Sequence, residues 1–263
     1  MTDRFILMLA PVGRKRRFSP SEVVEEAVRC RVKGVSIVHL RATRNDQRVI
    51  YDIEPYSQMI TWIRERSDLL VEFPTWGTLG HSVEDRISTL VLNPDFVEVI
   101  PGSLNIDSDV IYNPRDYISF LLQTVAETSA TVVFKVFSPS MIFYARKLIE
   151  EENLKPPYIF TLTFSNRLFP ATPENLIYMV KSLPSDSMWF VSAFGKIPRS
   201  LWAMALDSGG NIRIGLEDLE EGGDSSIGNE QLLDKLLSLS SSLGVEPATP
   251  KEVKDMLRRE TGK

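Results

Sequence analysis

Short continuous apolar runs alternate along the chain with longer stretches in which apolar residues recur every three or four positions. The first pattern marks strands buried on both faces, the second helices with one buried stripe. Strands are predicted at 5–12, 36–42, 69–76, 95–104, 131–137, 158–164, 188–194 and 212–216. Each is followed by a helical stretch, beginning in turn near Ser19, Glu54, Ser82, Asn113, Pro139, Thr172, Pro198 and Asn229. Capping signals fix several starts. Ser19-Pro20-Ser21-Glu22 places a Ser at the N-cap, Pro at the first helical position and Glu three residues after the cap. Thr249-Pro250-Lys251-Glu252 repeats the arrangement, Thr172-Pro173-Glu174 shares its Thr and Pro, and Gly34 is a natural stop for the first helix.

Eight strand–helix pairs without a long linker imply parallel strands joined by right-handed crossovers. In 263 residues this favours one α/β domain spanning 1–263, a closed (β/α)8 TIM barrel, with a short extra C-terminal helix at 249–259. No Gly-x-Gly-x-x-Gly follows the first strand, so an open dinucleotide-binding sheet loses its main support. The Gly-rich piece 221–228 reads as a single loop.

Composition narrows the class only a little. A formal charge of −5 argues against nucleic-acid binding. The run 5–12 is too short to span a bilayer and lacks a basic signal-peptide start, so no membrane association and a cytoplasmic location are expected. Cys30 is the single cysteine, which excludes an internal disulfide; it reads as inert packing.

The chemistry is expected where strands end, because the C-terminal rim of such a barrel gathers catalytic groups from distant parts of the chain. The last strand runs into Glu217 and Asp218 and carries Arg213 within it. Strand 2 ends in His39 and Arg41, which alternation puts on one face. Strand 5 carries Lys135, on the face of Val133 and Phe137. Thr75, Trp76, Ser103, Asn105, Ser165, Asn166, Arg167, Ser192 and Lys196 lie at other strand ends, and Arg14, Lys15, Arg16, Arg17 and Arg44 in loops. A rim this rich in cations on an acidic protein suits an anionic ligand such as a carboxylate, a phosphate or coenzyme A. The alternative is solvated loop charge. For Arg41, Lys135 and Arg213 a half-buried setting is expected, and a buried charge must be paired.

These segments resemble the beta-keto acid cleavage enzyme family over nearly the whole chain. The likeness is carried by Ser19-Pro20-Ser21-Glu22, Ile37-Val38-His39-Leu40, Gly102-Ser103-Leu104-Asn105 and Pro170-Ala171-Thr172-Pro173-Glu174-Asn175-Leu176. It continues through the run from Gly209 to Asp218 and Ala248-Thr249-Pro250. The resemblance implies a homo-oligomeric (β/α)8 barrel that cleaves or exchanges a beta-keto acid with acetyl coenzyme A. It also implies a zinc ion held by a His-x-His pair after strand 2 and a Glu after strand 8, assisted by an Arg and an Asp. Carried over, the metal ligands are His39 and Glu217 and the assistants are Arg213 and Asp218.

The chain departs from that pattern at the metal. Arg41 stands at the second histidine, Lys135 where the family has a Glu, and Pro74-Thr75-Trp76-Gly77 where it has a Ser-Thr-Gly-Gly turn. A guanidinium does not ligate, so the carboxylates are expected to find Arg41 and Arg213, with a Glu217–Arg41 salt bridge. On the enzyme reading, Arg213, Asp218 and Lys135 are catalytic, Lys135 being also a Schiff-base candidate. Arg41, Ser103, Asn105, Thr75, Arg14 and Lys15 then bind an anionic substrate or coenzyme A thioester. The other readings are a ligand-binding pseudoenzyme in which Trp76 fills substrate space, and a zinc enzyme completed by His81.

Overall fold

The computed structural model describes residues 4–13, 18–43, 49–78, 80–106, 109–195, 198–219 and 227–261. Eight parallel strands close into a barrel: β1 Leu7–Leu9, β2 Ile37–His39, β3 Leu70–Pro74, β4 Phe96–Val99, β5 Thr131–Val136, β6 Tyr158–Ser165, β7 Ser187–Phe194 and β8 Asn211–Ile214. They pair in chain order, and β8 pairs with β1 to complete the circle. The predicted strands are all present, and most are shorter than their apolar runs, because the ends of those runs lie in loops rather than in the ladder.

The helices are α1 Pro20–Val32, α2 Ile53–Arg66, α3 Val83–Ile87, α4 Arg115–Ala126, α5 Pro139–Glu151, α6 Pro173–Ser182, α7 Arg199–Asp207, α8 Asn229–Ser242 and α9 Pro250–Thr261. Ser19 forms the capping box read from the sequence: its Oγ accepts from Glu22 N and the Glu22 carboxylate accepts from Ser19 N. Gly34 follows α1 at φ +103, a conformation that glycine tolerates at little cost.

Alternation sorts the strand residues into two cores. Leu9, Val38, Val71, Val97, Val136, Leu162 and Val191 face outward and pack with the apolar stripes of the helices. Met8, Ile37, Leu70, Phe96, Val133, Ile159 and Phe190 face inward and form a separate apolar floor. The extra C-terminal helix closes that floor from below with Val253, Met256 and Leu257. Two residues further along β2–β5 the inward positions become His39, Glu72, Glu98 and Lys135; along β6 and β7 they become Thr161 and Ser192, and β8 adds Arg213. A polar layer therefore rests directly on the apolar floor.

Candidate active site

Three fixed cations and four carboxyl groups meet in this layer and just above it. Arg213 is the hub. Its Nη1 donates to Glu98 at 2.9 Å and to Glu72 at 3.3 Å, its Nη2 donates to Glu217 at 3.0 Å, and its Nε lies 3.5 Å from Asp218. Lys135 Nζ is 3.2 Å from Glu98 and 4.0 Å from Glu217. Arg41 Nε is 3.7 Å from Glu217 Oε2, while its Nη2 donates to Val12 O at 3.0 Å. His39 Nδ1 is 2.6 Å from Glu72 Oε2, and its Nε2 faces Glu217 Oε2 at 3.6 Å.

The half-buried setting expected for the strand cations is corrected. Lys135 and Arg213 are 2% and 1% exposed, because they point down the barrel axis below the rim rather than along it. Burying them requires partners, and the partners that the sequence reading passed over are Glu72 and Glu98. Their signal was available: an acid in the middle of Leu69-Leu70-Val71-Glu72-Phe73 and of Phe96-Val97-Glu98-Val99 is as anomalous as Lys135 in its own strand.

The carboxylates at the end of β8 are placed by backbone geometry. Gly215 passes so close to β1 that a Cβ on it would lie 2.0 Å from Ala10 O. The turn Leu216–Asp218 is then pinned by Glu217 N to Ala10 O, Gly195 N to Asp218 O and Leu216 N to Asn229 Oδ1. Asp218 Oδ2 accepts from Ser192 Oγ at 2.9 Å.

The two neighbouring acids are driven in opposite directions. Burial alone would raise Glu217, but the charges of Arg41, His39, Arg213 and Lys135 outweigh it and hold this carboxyl well below the usual range. For Asp218 burial wins: Arg213 and Lys135 pull down, Glu217 pushes up, and the carboxyl lies above its usual value. Glu98 is lowered, with Lys135 and Arg213 overcoming its burial.

The other expected site residues make contacts outside the charged cluster's side chains. Thr75 braces the barrel, its Oγ1 donating to Glu98 O at 2.7 Å while its own carbonyl accepts from Arg86 Nε. Ser103 is exposed and its Oγ accepts from Asn113 N, and Asn105 is exposed in a small antiparallel ribbon, Leu104–Ile106 with Asp109–Ile111. His81 is spent on its own loop. Its Nδ1 accepts from Thr78 N and its Nε2 donates to Val49 O, which leaves neither nitrogen for a metal. Arg14, Lys15, Arg16, Arg17, Arg44, Lys196 and most of the Gly-rich loop 221–228 lie outside the described residues.

A zinc ion does not fit this set of side chains as it stands. His39, Glu72 and Glu98 bring ligand atoms within 4.8 Å of one another, but Arg213 already bridges the two carboxylates and Lys135 shares Glu98. At Glu217 Oε2 a metal would share its ligand oxygen with Arg41. At about 4 Å and an effective dielectric of about 20, unit charges interact by about 4 kcal/mol, and a dication beside a guanidinium meets about twice that.

The acids and cations of this (β/α)8 barrel are gathered toward the C-terminal ends of its strands, where barrels of this kind carry their functional groups. The sequence pattern of the beta-keto acid cleavage enzymes matches residues 18–258, and the chain belongs to that family. It is 28% identical over 245 residues to the 3-keto-5-aminohexanoate cleavage enzyme of Acetoanaerobium sticklandii, covering 91% of this chain and 90% of that relative. It is 20% identical over 273 residues to the 3,5-dioxohexanoate:acetyl-CoA acetone transferase of Paraburkholderia graminis, covering 91% and 88%. Among solved structures, a ternary complex of ObcA with a C4-CoA adduct and oxalate shares the fold, with a TM-score of 0.73 at 16% identity over 91% of this chain. The chain spans 66% of the length of that ObcA chain.

Proposed function

We propose that the chain cleaves, or exchanges the acyl part of, an anionic beta-keto acid or its coenzyme A thioester, using fixed cations as the electrophile. One observation carries the reading: His39 Nε2, Glu217 Oε2 and Arg41 Nε converge, all buried and none with a hydrogen-bond partner. Three such atoms at one point are costly unless a ligand satisfies them.

Breaking a carbon–carbon bond beside a ketone leaves charge on an enolate oxygen. Preformed cations aimed at that oxygen stabilise it without reorganisation. Arg41 is suited to this role, because its buried Nε has no hydrogen-bond partner and lies 3.7 Å from Glu217 Oε2. Paired acids whose environments drive them apart divide the proton work between them. Asp218 is the proton carrier, with its raised carboxyl and an unpartnered Oδ1; Glu217 stays ionised and fixes the cations. Lys135 and Arg213 set the field from below.

The test is turnover of a panel of beta-keto acids with acetyl coenzyme A, read as acetoacetate formation, in the wild type and in Asp218→Asn. A second reading, a ligand-binding protein without turnover, is favoured by the engagement of Arg213 with four carboxyl groups. Calorimetric binding of the same acids with no product would decide for it. The homo-oligomer implied by the family is consistent with exposed Phe120, Phe143, Ile177 and Tyr178 on the outer faces of α4, α5 and α6; light scattering reads the subunit number.

A further inference from the structure

The contacts of Glu217 divide cleanly between its two oxygens. Arg213 and Lys135 reach Oε1, at 3.0 and 4.0 Å. Oε2 is approached by His39 Nε2 at 3.6 Å and Arg41 Nε at 3.7 Å, and all three atoms lack a hydrogen-bond partner. Two zinc ligands at about 2.0–2.2 Å from a tetrahedral ion are about 3.4 Å apart, close to the His39–Glu217 separation. The imidazole is also oriented as a metal-binding histidine usually is, with its far nitrogen on a carboxylate: Nδ1 meets Glu72 at 2.6 Å.

Half of a zinc centre is thus assembled, and one cation stands on its open side. Arg41 lies two residues beyond His39, on the same face of the chain, and is anchored by Val12 O. The other acidic cluster, His39 with Glu72 and Glu98, is closed by Arg213 and Lys135.

We infer that the Arg41 guanidinium alone bars a divalent cation from the His39–Glu217 pair, and that the single exchange Arg41→His opens this pair as a zinc site. The fixed positive charge replaces the metal as counter-ion of Oε2. A histidine at the same position removes that charge and supplies a third ligand from the correct face.

Zinc content and affinity are read without turnover, so the outcome is distinct from that of the catalytic reading. The wild type, purified without chelator, is expected to carry no stoichiometric zinc. Arg41→His is expected to bind zinc on the order of 100-fold more tightly than the wild type by calorimetry, with a zinc-dependent rise in Tm. Glu217→Ala in that background is expected to abolish the gain. Arg41→Gln, which removes the charge without adding a nitrogen ligand, covers the case in which Arg41→His fails to fold; a gain of about ten-fold is expected. Stoichiometric zinc in the wild type that Glu217→Ala removes overturns the inference. So does a folded Arg41→His or Arg41→Gln with wild-type zinc affinity, because the barrier would then lie with Arg213 and Lys135.

Discussion

Arg213 and Glu98 are joined by a hydrogen bond of 2.9 Å in the middle of the barrel, and both side chains are fully shielded from water. Glu98 also holds Lys135, so one carboxylate serves two buried cations. Truncating it leaves both short of a partner, at a cost of about 3–5 kcal/mol. Glu98→Ala is therefore expected to lower the urea midpoint sharply. Glu98→Gln, which keeps the shape and one acceptor, should lose roughly half as much.

Acid stability should follow Glu217 and Glu98. Both are held below the usual carboxylate range, so their contribution is complete above about pH 4.3, the unfolded value, and is lost as pH falls through the folded values. Asp218 has the opposite sign. Its raised carboxyl favours the folded state at low pH, and that share fades as pH rises through its folded value. The two lowered groups outnumber the raised one, so Tm should fall on acidification. Arg41→Gln removes the largest charge holding Glu217 down and should move that fall to higher pH.

Lys135 should form no imine. Its ammonium lies between Glu98 and Glu217, is 2% exposed and sits 5.4 Å from the centre of the Phe194 ring. Borohydride treatment with a keto acid is expected to leave Lys135 unmodified in the peptide map. A reduced adduct there would assign it a nucleophilic role and displace Asp218 as the principal reacting side chain.

Gly215→Ala should misplace the whole carboxylate turn. The added Cβ would meet the backbone oxygen of Ala10, just past β1, at 2.0 Å, which no side-chain movement relieves. A loss of about 3 kcal/mol or more in chemical denaturation is expected, with ligand affinity falling as Glu217 shifts.

Cys30 should be silent toward thiol reagents in the folded protein. Burial, reinforced by Glu26 and Glu230, pushes its thiol up to about 12. Labelling should appear only at denaturant concentrations that unfold the chain, which gives a convenient probe for the variants above.

Much of this was legible in the residues. Continuous apolar runs separated by capped, periodic stretches suit strands buried on both faces under helices, and eight such pairs in this length favour a closed barrel, which the structure has. The placement of His39 and Arg41 on one face, and of Lys135 with Val133, follows from the two-residue period of a strand. The family followed from ordered local segments. No helix among the described residues is long and apolar enough to cross a membrane.

The sequence by itself thus determined the strand–helix alternation and the two-residue period that sorts each strand's side chains, because periodicity is a local property. Tertiary structure decided which charges meet. Glu72, Glu98 and Arg213 come from three separate strands, and only barrel closure brings Arg213 within 3.3 Å of both carboxylates. The same closure decided that Lys135 and Arg213 lie below the rim and that Arg41 shares an oxygen with His39. Electrostatic energy depends on distance and burial, and neither is written in the order of the chain.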